Sequence, residues 1–173
     1  MTYRKFYFTL KCLRWSSEAI NPKYVQKTIE RINSSPYLIN NLVKIVDFGV
    51  NFSIVETQIQ NLHLQAYHIV HGGLYATLID TAAYWSAYAS LNDKWGGLIS
   101  VDLKMNFLSN IESGKVIAKG RLIKMGKTLG YAEATVETEN GKILAHGTST
   151  LLTVQQAKPE NIDLPQKFLK VGS

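Results

Sequence analysis

The stretch from Gly72 to about Leu91 limits the fold more than any other part of the chain. It is rich in Ala and Leu, contains no proline, and carries apolar residues on nearly every side of a helical wheel. Such a helix must be enclosed, because no face of it is suited to water. The run "NDKWGG" ends it.

β-like segments on both sides supply the enclosure. From Leu42 to about Leu62, Val, Ile, Phe and Thr alternate loosely, with Gly49 as the expected bend or bulge, and residues 63–70 read as a loop. Four more runs follow the helix, at about 98–108, 115–125, 128–139 and 142–154. Asn140-Gly141 marks a tight hairpin between the last two, while "SNIESGK" and "MGK" mark the other turns. Strands, one long helix and then a meander predict an α+β fold, a curved antiparallel sheet wrapped around one long central helix. One helix under one sheet leaves a face or an edge uncovered, and a dimer would cover it.

The flanks differ from this body. Asn21 as N-cap and Pro22 at the first helical position predict a helix to roughly Asn33, which "NSSPY" is expected to break. The expected organisation is an N-terminal basic helical extension over 1–40, the main domain over 41–154 and a polar, loosely held tail over 155–173. Up to Arg31, seven basic residues face only Glu18 and Glu30, leaving +5 of the net charge of +6. The body is therefore nearly neutral and lacks the basic stripe with aromatics that nucleic-acid binding requires. Residues 1–15 carry Arg4, Lys5, Lys11 and Arg14 and no acid. Tyr3, Phe6, Leu10 and Leu13 recur there at helical spacing, with Arg4, Lys11 and Arg14 on another face. That pattern fits a helix packed on the domain with its basic side in water, the favoured reading, or a membrane-surface segment. The one cysteine, Cys12, excludes an internal disulfide framework and fits a reducing, cytoplasmic setting. No apolar run reaches the roughly 18 residues of a membrane span.

Within the apolar helix stands one carboxylate, Asp80. It is either a structural aspartate met by donors from a neighbour, or a base or nucleophile in a cleft. Gly72 and Gly73 open the helix, where free N–H groups and the positive dipole end suit a carbonyl oxygen that gains charge. Alternatively they serve only a tight entry turn. Eight residues separate Gly72 from Asp80, about 12 Å along a helix axis, too far for both to touch one reacting carbon. Cooperation between them requires two copies of the helix, antiparallel across a two-fold axis.

"HGGLYATLIDTA", "LISVDLKMNFL", "KMGKTLGYAEATV" and "GKILAHGTSTLL" together resemble the hotdog-fold acyl-CoA thioesterases of the PaaI-like branch, over about residues 42–153. The resemblance implies a homodimeric or homotetrameric enzyme that hydrolyses an acyl- or aryl-CoA to free acid and CoA, without metal or redox cofactor. It implies that Gly72 polarises the thioester carbonyl, that Asp80 activates water or attacks, and that Ser100 orients water near that acid. It implies coenzyme A contacts at Phe107, Leu108, Ser109 and Asn110 and at Lys124, Gly126, Lys127 and Thr128, with His71 and Gly73 beside the substrate. Lys124 and Lys127 suit phosphates, or are plain surface lysines at a turn. Gln65 stands where this branch usually has asparagine and keeps an amide donor; His68 stands where it has glycine, and Asn110 where a proline is expected.

Three readings were weighed beside this one. The same fold would serve a non-catalytic acyl-CoA binder or sensor. A hotdog dehydratase would require a histidine paired with an acid across the site, and no such spacing occurs. His71 reads as a residue that fixes the loop rather than as a base, and His63 and His146 show no partner. No metal-ligand spacing and no GxSxG elbow occur.

Overall fold

The structure, a computed structural model, describes residues 18–91, 96–154 and 163–170. The segment 1–17, with its expected amphipathic helix and Cys12, and residues 155–162 and 171–173 of the tail lie outside the described residues.

The order of elements is β1 (Glu18–Ile20), α1 (Pro22–Asn33), α2 (Pro36–Asn40), β2 (Val43–Gly49), β3 (Phe52–Gln58) and a short 3-10 turn (Asn61–His63). Then come α3 (Gly72–Tyr88), β4 (Gly97–Phe107), β5 (Lys115–Met125), β6 (Leu129–Thr138), β7 (Ile143–Val154) and β8 (Phe168–Lys170). Six strands form one antiparallel sheet in the order β2-β3-β5-β6-β7-β4, and α3 packs on one face of it. The expected α+β architecture is the one observed.

Alternation along the strands decides which face meets the helix. Val116, Ala118, Gly120 and Leu122 of β5 are buried, as are Ala132, Ala134 and Val136 of β6. Lys119 and Arg121 point the other way and pair with Glu137 and Glu133 across the strands. On the helix side Leu78, Ile79, Ala82, Ala83 and Ala87 are fully enclosed. Burying Leu78 and Ile79 stabilises the layer by about 1.5–3 kcal/mol each. Gly120 permits the close approach: a Cβ there would lie 2.1 Å from the Ala82 carbonyl oxygen. The same carbonyl accepts a hydrogen bond from Ser53 Oγ at 2.6 Å.

The two edges of the sheet differ. Asn33, the last residue of α1, binds the main chain of β2 like a neighbouring strand: its Nδ2 donates to Ile45 O and its Oδ1 accepts from Ile45 N, both at 2.9 Å. The edge at β2 is thus covered. At the other edge β4 pairs only with β7 among the described strands, leaving an 11-residue strand open on one side.

Several local expectations need correction. Gly49 does not bend the chain; it ends β2, and the turn falls at Val50–Asn51, where Asn51 has φ 70°. "NSSPY" does end α1, but Pro36 also opens α2 as its first residue. The tail is not loose throughout, since β8 pairs with β1 in the register Ile20↔Phe168. Beside it Lys167 is buried, and its Nζ donates to Tyr88 O at 2.6 Å and Leu91 O at 2.9 Å. The carbonyls at the end of α3 are capped in this way by a residue from the far end of the chain. Asn21 joins the same seam, with its N–H on Lys167 O and its side-chain Nδ2 on Gln166 O. No helix among the described residues is long and apolar enough to cross a membrane.

Candidate active site

Two ends of α3 and β4 carry the candidate residues. Because α3 lies along the sheet, its start meets the end of β4 and its third turn meets the start of β4.

At the first end, His71 caps α3. Its φ and ψ are extended, and its Nδ1 accepts the Gly73 N–H at 2.8 Å. That bond puts the ring proton of a neutral His71 on Nε2. The His71 carbonyl takes the Leu74 N–H. The Gly72 N–H, in the first helical position, has no hydrogen-bond partner among the described residues. The ring of Phe107 lies over Gly72: an added Cβ would sit 2.9 Å from two of its carbons. Phe107 is 60% exposed and stands 6.4 Å from the Tyr75 ring. Leu108 and Ser109 both donate their N–H to Leu144 O, and Asn110 O accepts Lys142 Nζ, so the 107–110 segment is tied down beside the helix start. Tyr75 itself is buried, its hydroxyl without a hydrogen-bond partner among the described residues. Burial pushes that hydroxyl up to about 12.

The loop before the helix belongs to this end. Leu64 and Val70 form an isolated bridge, Gln65 N donates to Ile69 O, and His71 N donates to His63 O. Gln65 is half-buried, and its Oε1 makes one long contact of 3.4 Å with Tyr67 N. Its amide is therefore weakly held. His68 sits at the tip with φ 61°, in the left-handed region where glycine was expected from the resemblance. A left-handed residue with a Cβ costs roughly 1–2 kcal/mol, and glycine would return roughly 0.5–1 kcal/mol of that as backbone entropy. His68→Gly is accordingly expected to raise unfolding stability in urea by up to about 1 kcal/mol. A clear loss of stability would show that the imidazole holds the loop.

At the second end, Ser100 Oγ donates to Asp80 Oδ1 at 2.7 Å. Ser100 precedes a bulge in β4, where the register with β7 shifts between Ser100 and Asp102. Asp80 is half-buried, not enclosed as the apolar helix suggested. One turn on, burial pushes the Tyr84 hydroxyl up to about 12, with Tyr88 and Asp80 adding to the effect and the Leu98 backbone opposing it. Tyr84 stays a neutral hydroxyl and stacks on Tyr88, with ring centroids 5.9 Å apart. The turn of Gly126, Lys127 and Thr128 lies at this end too: Gly126 N donates to Leu129 O, and Thr153, opposite Leu98 of β4, binds Lys127 O and Thr128 O. Lys124 and Lys127 are exposed there.

The candidate residues thus fall into two groups within one chain. Gly72, Gly73, His71, Gln65 and Phe107–Asn110 gather at one end; Asp80, Ser100 and Lys124–Thr128 gather at the other. Seven residues of extended β4, roughly 23 Å, separate Ser100 from Phe107.

Two histidines do find partners that the sequence does not signal. His63 is buried, with Nδ1 accepting Gln60 N at 3.0 Å and Nε2 on Asn41 O at 2.9 Å, which joins the site loop to α2. His146 lies 3.5 Å from Glu133 Oε2 on the outer face of the sheet. Also unforeseen is Tyr37 of α2, whose hydroxyl bonds Thr77 Oγ1 at 2.7 Å on the face of α3 between the two groups.

A six-stranded sheet curved about a helix, with a carboxylate in that helix and an open amide at its start, defines the class as a hotdog-fold protein. The sequence profile of the Thioesterase superfamily matches residues 67–145, and the chain belongs to that superfamily. It is 26% identical over 137 residues to the mouse protein named acyl-coenzyme A thioesterase 13, covering 78% of this chain and 96% of that protein. The human protein of the same name is 28% identical over 99 residues, 56% of this chain and 69% of its own length. Among solved structures, the Haemophilus influenzae thioesterase matches with TM-score 0.70 at 19% identity, over 78% of this chain and 94% of that one. A Streptococcus mutans protein solved bound to acetyl CoA matches with TM-score 0.60 at 21% identity, over 67% and 91%. These structural likenesses establish the shared fold.

Proposed function

We propose that the protein is a thioester hydrolase that converts an acyl- or aryl-CoA to the free acid and CoA at sites shared between two copies. The observation that carries this reading is the split of the candidate residues between opposite ends of an open edge strand. If β4 pairs with β4 of a second copy, antiparallel about a two-fold axis near its middle, the Gly72 end of each protomer meets the Asp80 end of the other. The edge at β2 is closed to such pairing by α1 and Asn33. Two equivalent sites per dimer result. Each then has a coenzyme A channel bordered by Phe107–Asn110 of one chain and Lys124–Thr128 of the other.

The chemistry follows from the groups present. Ser100 occupies Asp80 Oδ1, which leaves Oδ2 to take a proton from water, or the carboxylate to attack directly. As water adds to the thioester carbonyl, its oxygen gains negative charge. The Gly72 N–H of the opposite chain, at the positive end of a 17-residue helix, meets that charge. Gln65, with its loosely held amide, supplies a second donor. The carbon–sulfur bond then breaks, and the CoA thiolate leaves with the proton that Asp80 accepted. Tyr75 and Phe107 beside Gly72, and Tyr84 and Tyr88 beyond Asp80, give the acyl pocket aromatic walls.

Thiol release from a panel of acyl- and aryl-CoA esters tests the reading. Turnover that saturates with substrate is expected. Saturable binding with no thiol release would instead make this a CoA-ester binding protein on the same fold. The sensitivity of mercury acetate to mass change by light scattering is not needed; the dimer is checked by sedimentation.

A further inference from the structure

One surface remains unexplained by thioester chemistry. Between α1 and the β2–β3 turn lies an open groove of about 830 Å³. Ile20, Val25 and Ile29 form one wall, and Val46, Val50 and Phe52 form the other. The last three are 47%, 37% and 43% exposed, in a hairpin that otherwise packs tightly. A contiguous apolar trough of this kind asks for a cover. Its rim is acidic: Glu30 on α1 and Asp47 on β2 both border it. Among the described residues no cation pairs with Asp47. Desolvation by its surroundings pushes the Asp47 carboxyl up from the ordinary range.

The chain itself carries a segment that matches. Seventeen residues precede Glu18, and they enter the described structure at Ile20 and Pro22, both of which line the groove. Within residues 1–15, Tyr3, Phe6, Leu10 and Leu13 share one helical face, and four bases with no acid occupy the rest. An apolar face and a basic flank complement an apolar floor and an acidic rim. The reach also agrees: residues 3–14 as a helix measure about 18 Å, and 15–21 leave seven residues for the reversal, within the usual length of a helix–helix connection.

We propose that residues 3–14 fold back as an amphipathic helix into this groove of their own chain, antiparallel to α1. Tyr3, Phe6, Leu10 and Leu13 fill the trough, and the basic flank lies against Asp47 and Glu30. The extension is then a built-in cover for the β2–β3 end of the sheet rather than an arm for a membrane or a nucleic acid.

Cys12, the chain's one cysteine, gives a direct test on the full-length protein. On the proposed helix it faces away from the apolar stripe, so a nitroxide attached there leaves the seat undisturbed. The expected NMR result is paramagnetic broadening of the Val46, Val50 and Phe52 amides and of Gln26 and Glu30, with the Gly141 hairpin unaffected. The paired substitution Phe6→Asp with Leu10→Asp should abolish that broadening and lower the thermal midpoint, while the rest of the spectrum keeps its dispersion. Absence of broadening in the unsubstituted protein would overturn the proposal. So would broadening that appears only when isotope-labelled and spin-labelled molecules are mixed, which would seat the segment on a second copy. Broadening of Phe6 and Leu10 by anionic vesicles carrying spin-labelled lipid, with none at the groove, would give the segment to a membrane and overturn it too.

Discussion

Replacing Asp80 by asparagine is expected to lower kcat by about 10²–10⁴-fold, the usual worth of a positioned base, while the protein stays folded. The substitution is nearly isosteric. Its side-chain oxygen still accepts the Ser100 hydroxyl that now bonds Oδ1 at 2.7 Å, so the link between α3 and β4 survives. What is lost is the capacity to take a proton or to attack. Because Asp80 is only half-buried in the single chain, the exchange removes a charge from a partly wet position and leaves no orphaned partner behind. Circular dichroism and sedimentation should therefore match the parent, and initial rates should collapse at unchanged CoA-ester affinity. Unchanged turnover in Asp80→Asn would remove this carboxylate from the chemistry and with it the proposed mechanism.

The second large effect concerns the division of each site between two chains. Gly72→Pro deletes one N–H and little else. Proline is well tolerated at the first helical position, and His71 already has the extended conformation, φ −67° and ψ 136°, that precedes proline comfortably. The Phe107 ring above it is mostly exposed and has room to swing aside. Loss of that donor should cost roughly 10²–10³-fold in kcat. The informative step is to combine the two variants. A hybrid dimer of one Asp80→Asn chain and one Gly72→Pro chain, purified through two different tags, has one site with both groups intact and one with neither. It should recover about half the parent activity, as two-fold symmetry dictates. If each site lies within a single chain, every site in the hybrid lacks one group and the hybrid stays as inactive as its components.

The parts of the fold that could be read from the sequence are those whose cause is local. Asn21 and Pro22 announce the start of α1, and the helix begins there. The Asn140-Gly141 pair announces a hairpin, and Gly141 has the φ of 80° that such a turn demands. The four strands after α3 fall within a residue or so of their expected bounds because their alternation records one buried face. Misreadings arose where a distant contact decides. Gly49 continues its strand because the Phe52 ring packs against the place a Cβ would occupy. β1 and β8 have three residues each and no pattern of their own; they exist because they meet. His63 is held by Asn41 O, from a different element of structure.

The candidate site divides in the same way. The capped glycine start of α3 and its lone acid are visible as a local anomaly in an apolar run. The bond from Ser100 to Asp80 joins residues on two elements and came only with the family resemblance, as did the place of the 124–128 turn. Neither the ring of Phe107 over Gly72 nor the hydroxyl of Tyr37 on Thr77 has any signal in the spacing of the residues concerned.

The seam between β1, β8 and Lys167 sets an order of events during synthesis. Asn21 opens α1, yet the carbonyls it binds, Gln166 O and Lys167 O, leave the ribosome only after nearly all the rest of the chain. The six-stranded sheet and α3 can assemble from neighbours close in sequence, whereas this closure spans almost the whole polypeptide and is entropically the slowest to make. A nascent chain therefore carries α1 unfastened until its last residues emerge, and the end of α3 that Lys167 caps stays frayed until then.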